Sequence, residues 1–336
     1  MEFTRHHLAD LLERFKGKRV AVLGDLMLDR YYWGSVRRVS PEAPVPVVEV
    51  ESESTRFGGA ANVAHNIASL GGEPVLVGLI GGDHPGEQFI GMMKEAGLNT
   101  GGVIRDAGRQ KTIKTRVIAH SQHVVRFDTE TNADCPEHLT RRLIDAVKDN
   151  IHSFDAVLIE DYNKGVLSPP VIEGVVSVAR KYGKIVTVDP KFENFLEYKE
   201  VTVFKPNRRE VEEVLGGRLK TRSDIERAGN RLLRMLSAEN VLLTRGDKGM
   251  SLFEKGGGTT HWGTVANSVL DVSGAGDTVI STLTMALAAG APVREACVLA
   301  NCAGGVVVGS VGIVPIDTQA LIDAALAQWT NSQKDK

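Results

Sequence analysis

Short runs dominated by Val, Ile and Leu occur at 19–23, 75–80, 156–159, 184–188, 201–204 and 241–244. A run with no polar alternation is the pattern of a strand covered on both faces, as in a parallel sheet. Between these runs, apolar residues recur at three- and four-residue spacing over 8–15, 60–69, 86–96, 137–150, 170–182, 209–215, 223–236, 277–289, 294–308 and 318–329. That spacing predicts helices. Strand and helix in alternation predict an α/β fold, a doubly wound, parallel-type central sheet flanked by helices. The last three helical segments follow one another with little strand between them and are expected to close one end of the sheet.

Two stretches depart from this pattern. Residues 45–50 and 112–128 read as strands without crossover helices, and Pro44 and Pro46 fit edge positions. They are expected to form a small β lid, built from about 31–52 and 110–128, over the carboxyl ends of the parallel strands. There it would cover a substrate and exclude water. The whole chain, 1–336, is expected to be one domain.

Composition narrows the field. Hydrophobic residues are 42% and charged residues 24%, enough to build a core and too few charges for a disordered chain. The formal net charge of −2 argues against a protein that holds nucleic acid by bulk positive charge. The longest uncharged, apolar-leaning stretch, 278–293, falls short of the about 20 residues a membrane span needs. No apolar leader segment follows Met1, and three cysteines without zinc spacing read as reduced thiols, so a cytoplasmic protein is expected.

The sharpest local feature is Asp271-Val272-Ser273-Gly274-Ala275-Gly276-Asp277-Thr278 leading into a helix. A small-residue turn at a helix start aims unpaired N–H groups at one spot, where the helix dipole favours an anion. Asp277, beside that spot, suits a general base that takes a proton from a hydroxyl attacking phosphorus. Its alternative is a plain loop-to-helix turn. Asn207-Arg208-Arg209-Glu210 offers oxygen ligands for hydrated Mg²⁺, or simply a capping box. Thr244-Arg245-Gly246-Asp247-Lys248-Gly249 suits nucleotide phosphates, or an ordinary hairpin. Asp25, Asp29, Gly58, Gly59 and Asn62 supply the acceptors and donors that a polyol requires, or are loop residues. No P-loop and no Gly-x-Gly-x-x-Gly is present, which weakens a dinucleotide-dependent dehydrogenase.

Together these motifs resemble the ribokinase-like (PfkB) carbohydrate kinases. Asp271–Thr278 looks like the C-terminal signature, Gly58-Gly59-Ala60-Ala61-Asn62 with Leu70-Gly71-Gly72 like the N-terminal one, and Asn207-x-x-Glu210 like the Mg-ATP motif, in the family's order from about 18 to 317. Within that family Gly24–Tyr31, Ser40–Val48, Asp161-Tyr162-Asn163-Lys164-Gly165 and Asp189-Pro190-Lys191 are similar to the D-glycero-β-D-manno-heptose 7-phosphate kinases. These include the kinase half of bifunctional heptose kinase/adenylyltransferases. The resemblance implies transfer of the ATP γ-phosphoryl group to O1 of heptose 7-phosphate, on the route to ADP-heptose and lipopolysaccharide. It implies a ribokinase-like fold and ATP and Mg²⁺ as cofactors, with a monovalent cation as a further candidate, and a homodimer formed through the lid.

Carried over residue by residue, the resemblance makes Asp277 the base and the N–H groups of Gly274, Ala275 and Gly276 the anion hole. Asn207 and Glu210 hold Mg²⁺ through water. Asn207, Arg208, Arg209, Glu210, Thr244, Gly246, Gly249 and Lys191 line the ATP site, with Asp189 near the phosphates. Asp25, Asp29, Gly58, Gly59 and Asn62 meet the sugar. A 7-phosphate requires cations, and the candidates are Arg37, Arg38, Lys111, Lys114, Arg116 and Arg126 of the lid, with Lys164 and Lys191. The His-x-Gly-His motif of the nucleotidyltransferase half does not occur in the sequence, which leaves two readings open, a kinase-only enzyme or the kinase part of a longer protein. Two other outcomes stay open: a family kinase acting on another sugar or sugar phosphate, such as a hexose phosphate, and a non-catalytic nucleotide-binding module.

Overall fold

Two sheets of opposite character make up the molecule. The computed structural model describes residues 4–120, 122–266, 269–310 and 312–334. In chain order the elements are α1 (Arg5–Glu13), β1 (Arg19–Gly24), β2 (Leu26–Val39), β3 (Pro46–Gly59), α2 (Ala60–Ser69), β4 (Glu73–Gly81), α3 (His84–Glu95), β5 (Val103–Asp106), β6 (Thr112–Ala119), β7 (Gln122–Thr129), α4 (Glu137–Lys148) and β8 (Ala156–Glu160). They continue with α5 (Pro169–Lys181), β9 (Ile185–Asp189), β10 (Val203–Phe204), α6 (Arg208–Leu215), α7 (Arg222–Leu236), β11 (Asn240–Thr244), β12 (Met250–Glu254), β13 (Thr259–Trp262), α8 (Ala275–Ala288), α9 (Val293–Val307) and α10 (Thr318–Lys334).

The large sheet has nine strands in the order β13-β12-β11-β10-β9-β8-β1-β4-β5, parallel except for β12 and β13. The reason its strands are rich in apolar residues on both faces is visible in β1. Val20 and Val22 enter the core under α1, α2, α8 and α9, while Ala21 and Leu23 enter the core under α4, α5 and α7. The expected doubly wound α/β architecture is what the chain adopts. The strand order reverses at β1, flanked by β4 and β8, and such a switch point leaves a crevice at the carboxyl ends of the strands.

The second sheet has four strands in the order β3-β2-β6-β7. It begins at Leu26, earlier than the expected 31, and β3 runs on to Gly59. The stretch 26–31, where a loop was the plainer alternative for Asp29, is the start of a 14-residue strand. Its side chains are buried or half-buried on both faces, so no simple alternation marks it. β5 and β13, four residues each, also escape the pattern. The last three helices do not cap one end. α8 packs on β8, β9 and α2, α9 on α8 and β12, and α10 on α9 and α1, so α8 lies across the middle of the large sheet. Among the described residues no helix is long and apolar enough to cross a membrane.

Candidate active site

Three strands deliver acids to one level. Gly24 is in register with Glu160, and Glu160 with Asp189, so β1, β8 and β9 end side by side. Above them α8 starts at Gly274, which adopts φ 76° as the helix N-cap, a left-handed conformation that glycine takes without strain. The turn brings Asp277, 3% exposed, down onto the strand ends. A Cβ on Gly276 would lie 3.5 Å from Asp189 Oδ2 and 3.7 Å from Lys205 Nζ, so the helix start sits directly over this floor. The Ala275 N–H closes the turn on Val272 O at 3.3 Å. The expected three-donor anion hole is therefore reduced. The N–H groups of Gly274 and Gly276 carry no hydrogen bond among the described residues.

Glu160, Asp189 and Asp277 are all buried, with carboxylate oxygens within 4.8 Å of one another. Lys205 Nζ pairs with Asp189 Oδ2 at 2.7 Å. Both oxygens of Glu160 are buried without a hydrogen-bond partner. Burial, then Asp189 and Asp277, hold the Glu160 carboxyl well above the ordinary range. An all-oxygen set of buried acids, one of them orphaned, is what a hard divalent cation such as Mg²⁺ requires. The donor set therefore fits the divalent ion that a kinase uses.

Asp277 is held by two donors. Asn62 Nδ2 donates to Oδ2 at 2.7 Å, and the Tyr162 hydroxyl donates to Oδ1 at 2.9 Å. Burial raises its pKa to about 6, and Asp189 adds to the rise, against the hydrogen bonds of Asn62 and Tyr162 and the charge of Lys205. A carboxyl titrating there is ionised near neutral pH and still basic enough to accept a proton.

The other expected site residues have definite places. Asp25 does not offer free oxygens to a cleft. Its carboxylate accepts from the N–H groups of Tyr162 (2.8 Å), Lys164 (3.1 Å) and Val166 (3.3 Å), fixing the 162–166 loop. Burial, then Asp161, push its pKa up to about 6. Asp29 is buried and ion-paired with Arg116. Gly58 leaves room for it, since a Cβ there would fall 2.1 Å from Asp29 Oδ2. Gly59 caps α2, which carries Asn62.

Asn207 and Glu210 form a capping box: Glu210 N donates to Asn207 Oδ1 at 3.0 Å and Asn207 N to Glu210 Oε2 at 2.8 Å. The remaining Glu210 oxygen accepts from Lys191 at 2.8 Å. Neither residue belongs to the acid cluster, and both carboxylate oxygens of Glu210 are engaged, unlike those of Glu160. Arg208 pairs with Glu212 at 2.9 Å, and Arg209 is exposed. Burial works against a charged Lys191, but Asp189, Glu210 and Glu160 together hold its pKa above the usual lysine value. Residues 245–249 are the turn of the β11–β12 hairpin, the plainer of the two expectations. The Thr244 N–H donates to Pro206 O at 3.0 Å, which sets Thr244 beside the Asn207 turn.

On the lid, Arg126 pairs with Asp128 at 2.7 Å and Lys164 with Glu130 at 3.0 Å. Among the described residues Lys114 makes no ion pair, and its ammonium lies 5.8 Å from the Tyr162 ring. Burial, then the like charges of Arg126 and Lys164, hold its pKa down. Lys111 drops out as a substrate contact, because it is 1% exposed, donates to Leu26 O at 2.7 Å and stacks 3.8 Å over Phe89. Arg37 and Arg38 are exposed near the far end of β2. Sequence reasoning gave no role to Glu160, Tyr162 or Lys205. The usable signal for Glu160 was an acid closing the buried run 156–159, as Asp189 closes 184–188.

Comparison with known proteins agrees with this geometry. A family model described as pfkB family carbohydrate kinase matches residues 18–319. The chain is 40% identical over 326 residues to Bifunctional protein HldE of Desulfatibacillum aliphaticivorans, covering 97% of this chain and 66% of that protein. It is 38% identical to the protein of that name from Pelobacter propionicus, covering 99% of this chain and 68% of the other. The chain thus spans about two thirds of the length of these relatives. In fold it is similar to Arabidopsis thaliana ribokinase, solved with ribose and ATP (TM-score 0.72, 19% identity, 92% of this chain and 99% of that one). It is similar also to Escherichia coli phosphofructokinase-2 (TM-score 0.76, 19% identity, 93% and 99%). With an ionisable acid under a helix start, a buried oxygen cluster beneath it and a family match over most of its length, the chain belongs to the pfkB family of carbohydrate kinases and is a sugar phosphotransferase of ribokinase-like fold.

Proposed function

We propose that the chain transfers the γ-phosphoryl group of ATP to the anomeric O1 of D-glycero-β-D-manno-heptose 7-phosphate, giving the 1,7-bisphosphate on the way to ADP-heptose and lipopolysaccharide. The observation that carries the chemistry is Asp277, buried, titrating at about 6 and pinned on both oxygens at the start of α8. The relatives named HldE, and Lys114 of the lid with no ion pair among the described residues, support the sugar phosphate as acceptor.

Asp277 takes the proton of the O1 hydroxyl as that oxygen attacks the γ-phosphorus. The free N–H groups at Gly274 and Gly276, with the helix dipole, face the charge that gathers on the phosphoryl oxygens. Glu160 and Asp189 would hold a divalent ion, which supplies positive charge against the phosphates when bound. Lys205 and Lys191 balance the remaining acids. Asn207, Glu210, Thr244, Gly246 and Gly249 line the nucleotide side. Asp29, Asn62 and the Gly58-Gly59 backbone border the sugar, and Lys114, Arg116, Arg126 and Lys164 face its distal phosphate. Asp25 acts by holding the 162–166 loop.

Val125 and Phe127, on the face of β7 opposite Arg126, are 49% and 53% exposed, and Val50 of β3 is 55% exposed. That apolar outer face suits a second copy of the chain. Sedimentation as a dimer that Phe127→Asp converts to monomer is expected; a wild-type monomer contradicts it.

The substrate is tested by ADP release from ATP-Mg²⁺ with a panel of sugars. Heptose 7-phosphate should give the highest kcat/KM. A higher value with fructose 6-phosphate or ribose would assign the site to another sugar.

A further inference from the structure

Every phosphoryl-transfer enzyme with an ionised base faces the same competitor, since water can take the place of the sugar hydroxyl. The structure has a feature at the base that bears on this. The Tyr162 hydroxyl sits 2.9 Å from Asp277 Oδ1, and Asn62 occupies Oδ2 at 2.7 Å, so each oxygen of the base already accepts from a protein donor. The two donors differ in how they are held. Asn62 is buried within α2 and its own Oδ1 accepts from Asn66, a fixed arrangement. Tyr162 is half-buried and lies on a loop.

That loop is anchored at its backbone and adjustable at its side chain. Asp25 ties the Tyr162 N–H at 2.8 Å, and Asn163 turns the chain at φ 52°. The ring lies between Lys114 of the lid at 5.8 Å and Lys191 of the core at 5.0 Å. Anything anionic that settles against Lys114 therefore acts on the same ring whose hydroxyl covers the base.

Resting on Asp277 as the base, we propose that Tyr162 is a positioning residue that covers Asp277 Oδ1 until a sugar hydroxyl replaces it, so that bound ATP is not hydrolysed in the absence of sugar. Without the tyrosine hydroxyl, a water can donate to Oδ1. Its oxygen forms the new bond to the γ-phosphorus, the bond from that phosphorus to the β–γ bridging oxygen breaks, ADP leaves with the electron pair, and the water proton passes to Asp277. The products are ADP and inorganic phosphate.

The test is ATP-Mg²⁺ hydrolysis by the full chain without sugar, measured as phosphate release, alongside sugar-dependent turnover. Tyr162→Phe keeps the ring between the two lysines and removes only the hydroxyl. Sugar-free hydrolysis should rise about tenfold, the scale of one hydrogen bond to a charged group. The gain should vanish when Asp277→Asn is added. Tyr162→Met, which also lacks the hydroxyl, gives the same reading if the phenylalanine variant does not fold. Hydrolysis that stays at the wild-type level, or a gain that survives Asp277→Asn, overturns the role of Tyr162. If Asp277→Asn alone leaves sugar-dependent turnover intact, it is the base that has been misassigned.

Discussion

The floor of the site and the roof of the site handle charge in opposite ways. On the floor, Glu160, Asp189 and Asp277 are buried together, and the Glu160 oxygens have no partner at all. Lys205 pairs with Asp189, and the acids that remain favour a further cation. On the roof, Arg116 and Arg126 each have a carboxylate partner, as does Lys164 of the adjoining loop, while Lys114 makes no ion pair among the described residues. In the proposed reaction the floor holds a metal and accepts a proton. The roof is a half-exposed network of mostly paired charges, suited to receiving an anion and exchanging partners as it does so. Under the proposed function, the difference separates catalysis, at strand ends and a helix start, from recognition on a hairpin sheet.

Removing one acid from the floor should have the largest effect. Glu160→Gln keeps the shape and removes the charge. The Mg²⁺ concentration for half-maximal turnover should rise by more than the roughly 10–100-fold that indirect changes around a metal cost. An unchanged Mg²⁺ titration would take Glu160 out of the metal site. On the roof, Lys114→Ala should raise KM for the sugar phosphate roughly 10–100-fold, the value of a charge-assisted contact, with KM for ATP unchanged. An equal change in both, or in neither, would make Lys114 a structural residue.

The pH profile sharpens the contrast further. Burial, reinforced by Asp189, lifts Asp277 from 3.8 to about 6. Because the base works as the carboxylate, kcat/KM should be flat above about pH 6 and fall about tenfold per unit below it. The same sign governs stability at Asp25, whose pKa also rises to about 6. A folded-state pKa above the unfolded value of 3.8 costs stability at neutral pH, and that cost is relieved as pH falls through this window. A limb centred near 4 would place the base in a more solvated setting.

What could be read in the sequence follows from how each part is assembled. The α8 turn was legible because its parts are contiguous: Gly274, Gly276 and Asp277 act within four residues. The parallel strands were legible because burial on both faces leaves continuous apolar runs. The acid floor was not, because Glu160 and Asp189 meet only through β8–β9 register. Asn207 and Glu210 matched two uses equally well in sequence, and the structure shows the capping box. The lid pairs were hidden for a different reason. Which of its cations find carboxylates depends on the β2–β6 and β6–β7 registers, which no local pattern records. Lys111 looks like its neighbour Lys114 in sequence, but its side chain enters the core.

The central claim is tested most directly by Asp277→Asn, assayed for turnover with ATP-Mg²⁺ and sugar phosphate and for ATP binding by calorimetry. Loss of the proton acceptor should lower kcat by about 10²–10⁴ while ATP affinity stays near wild type. A variant that turns over at close to the wild-type rate would contradict it.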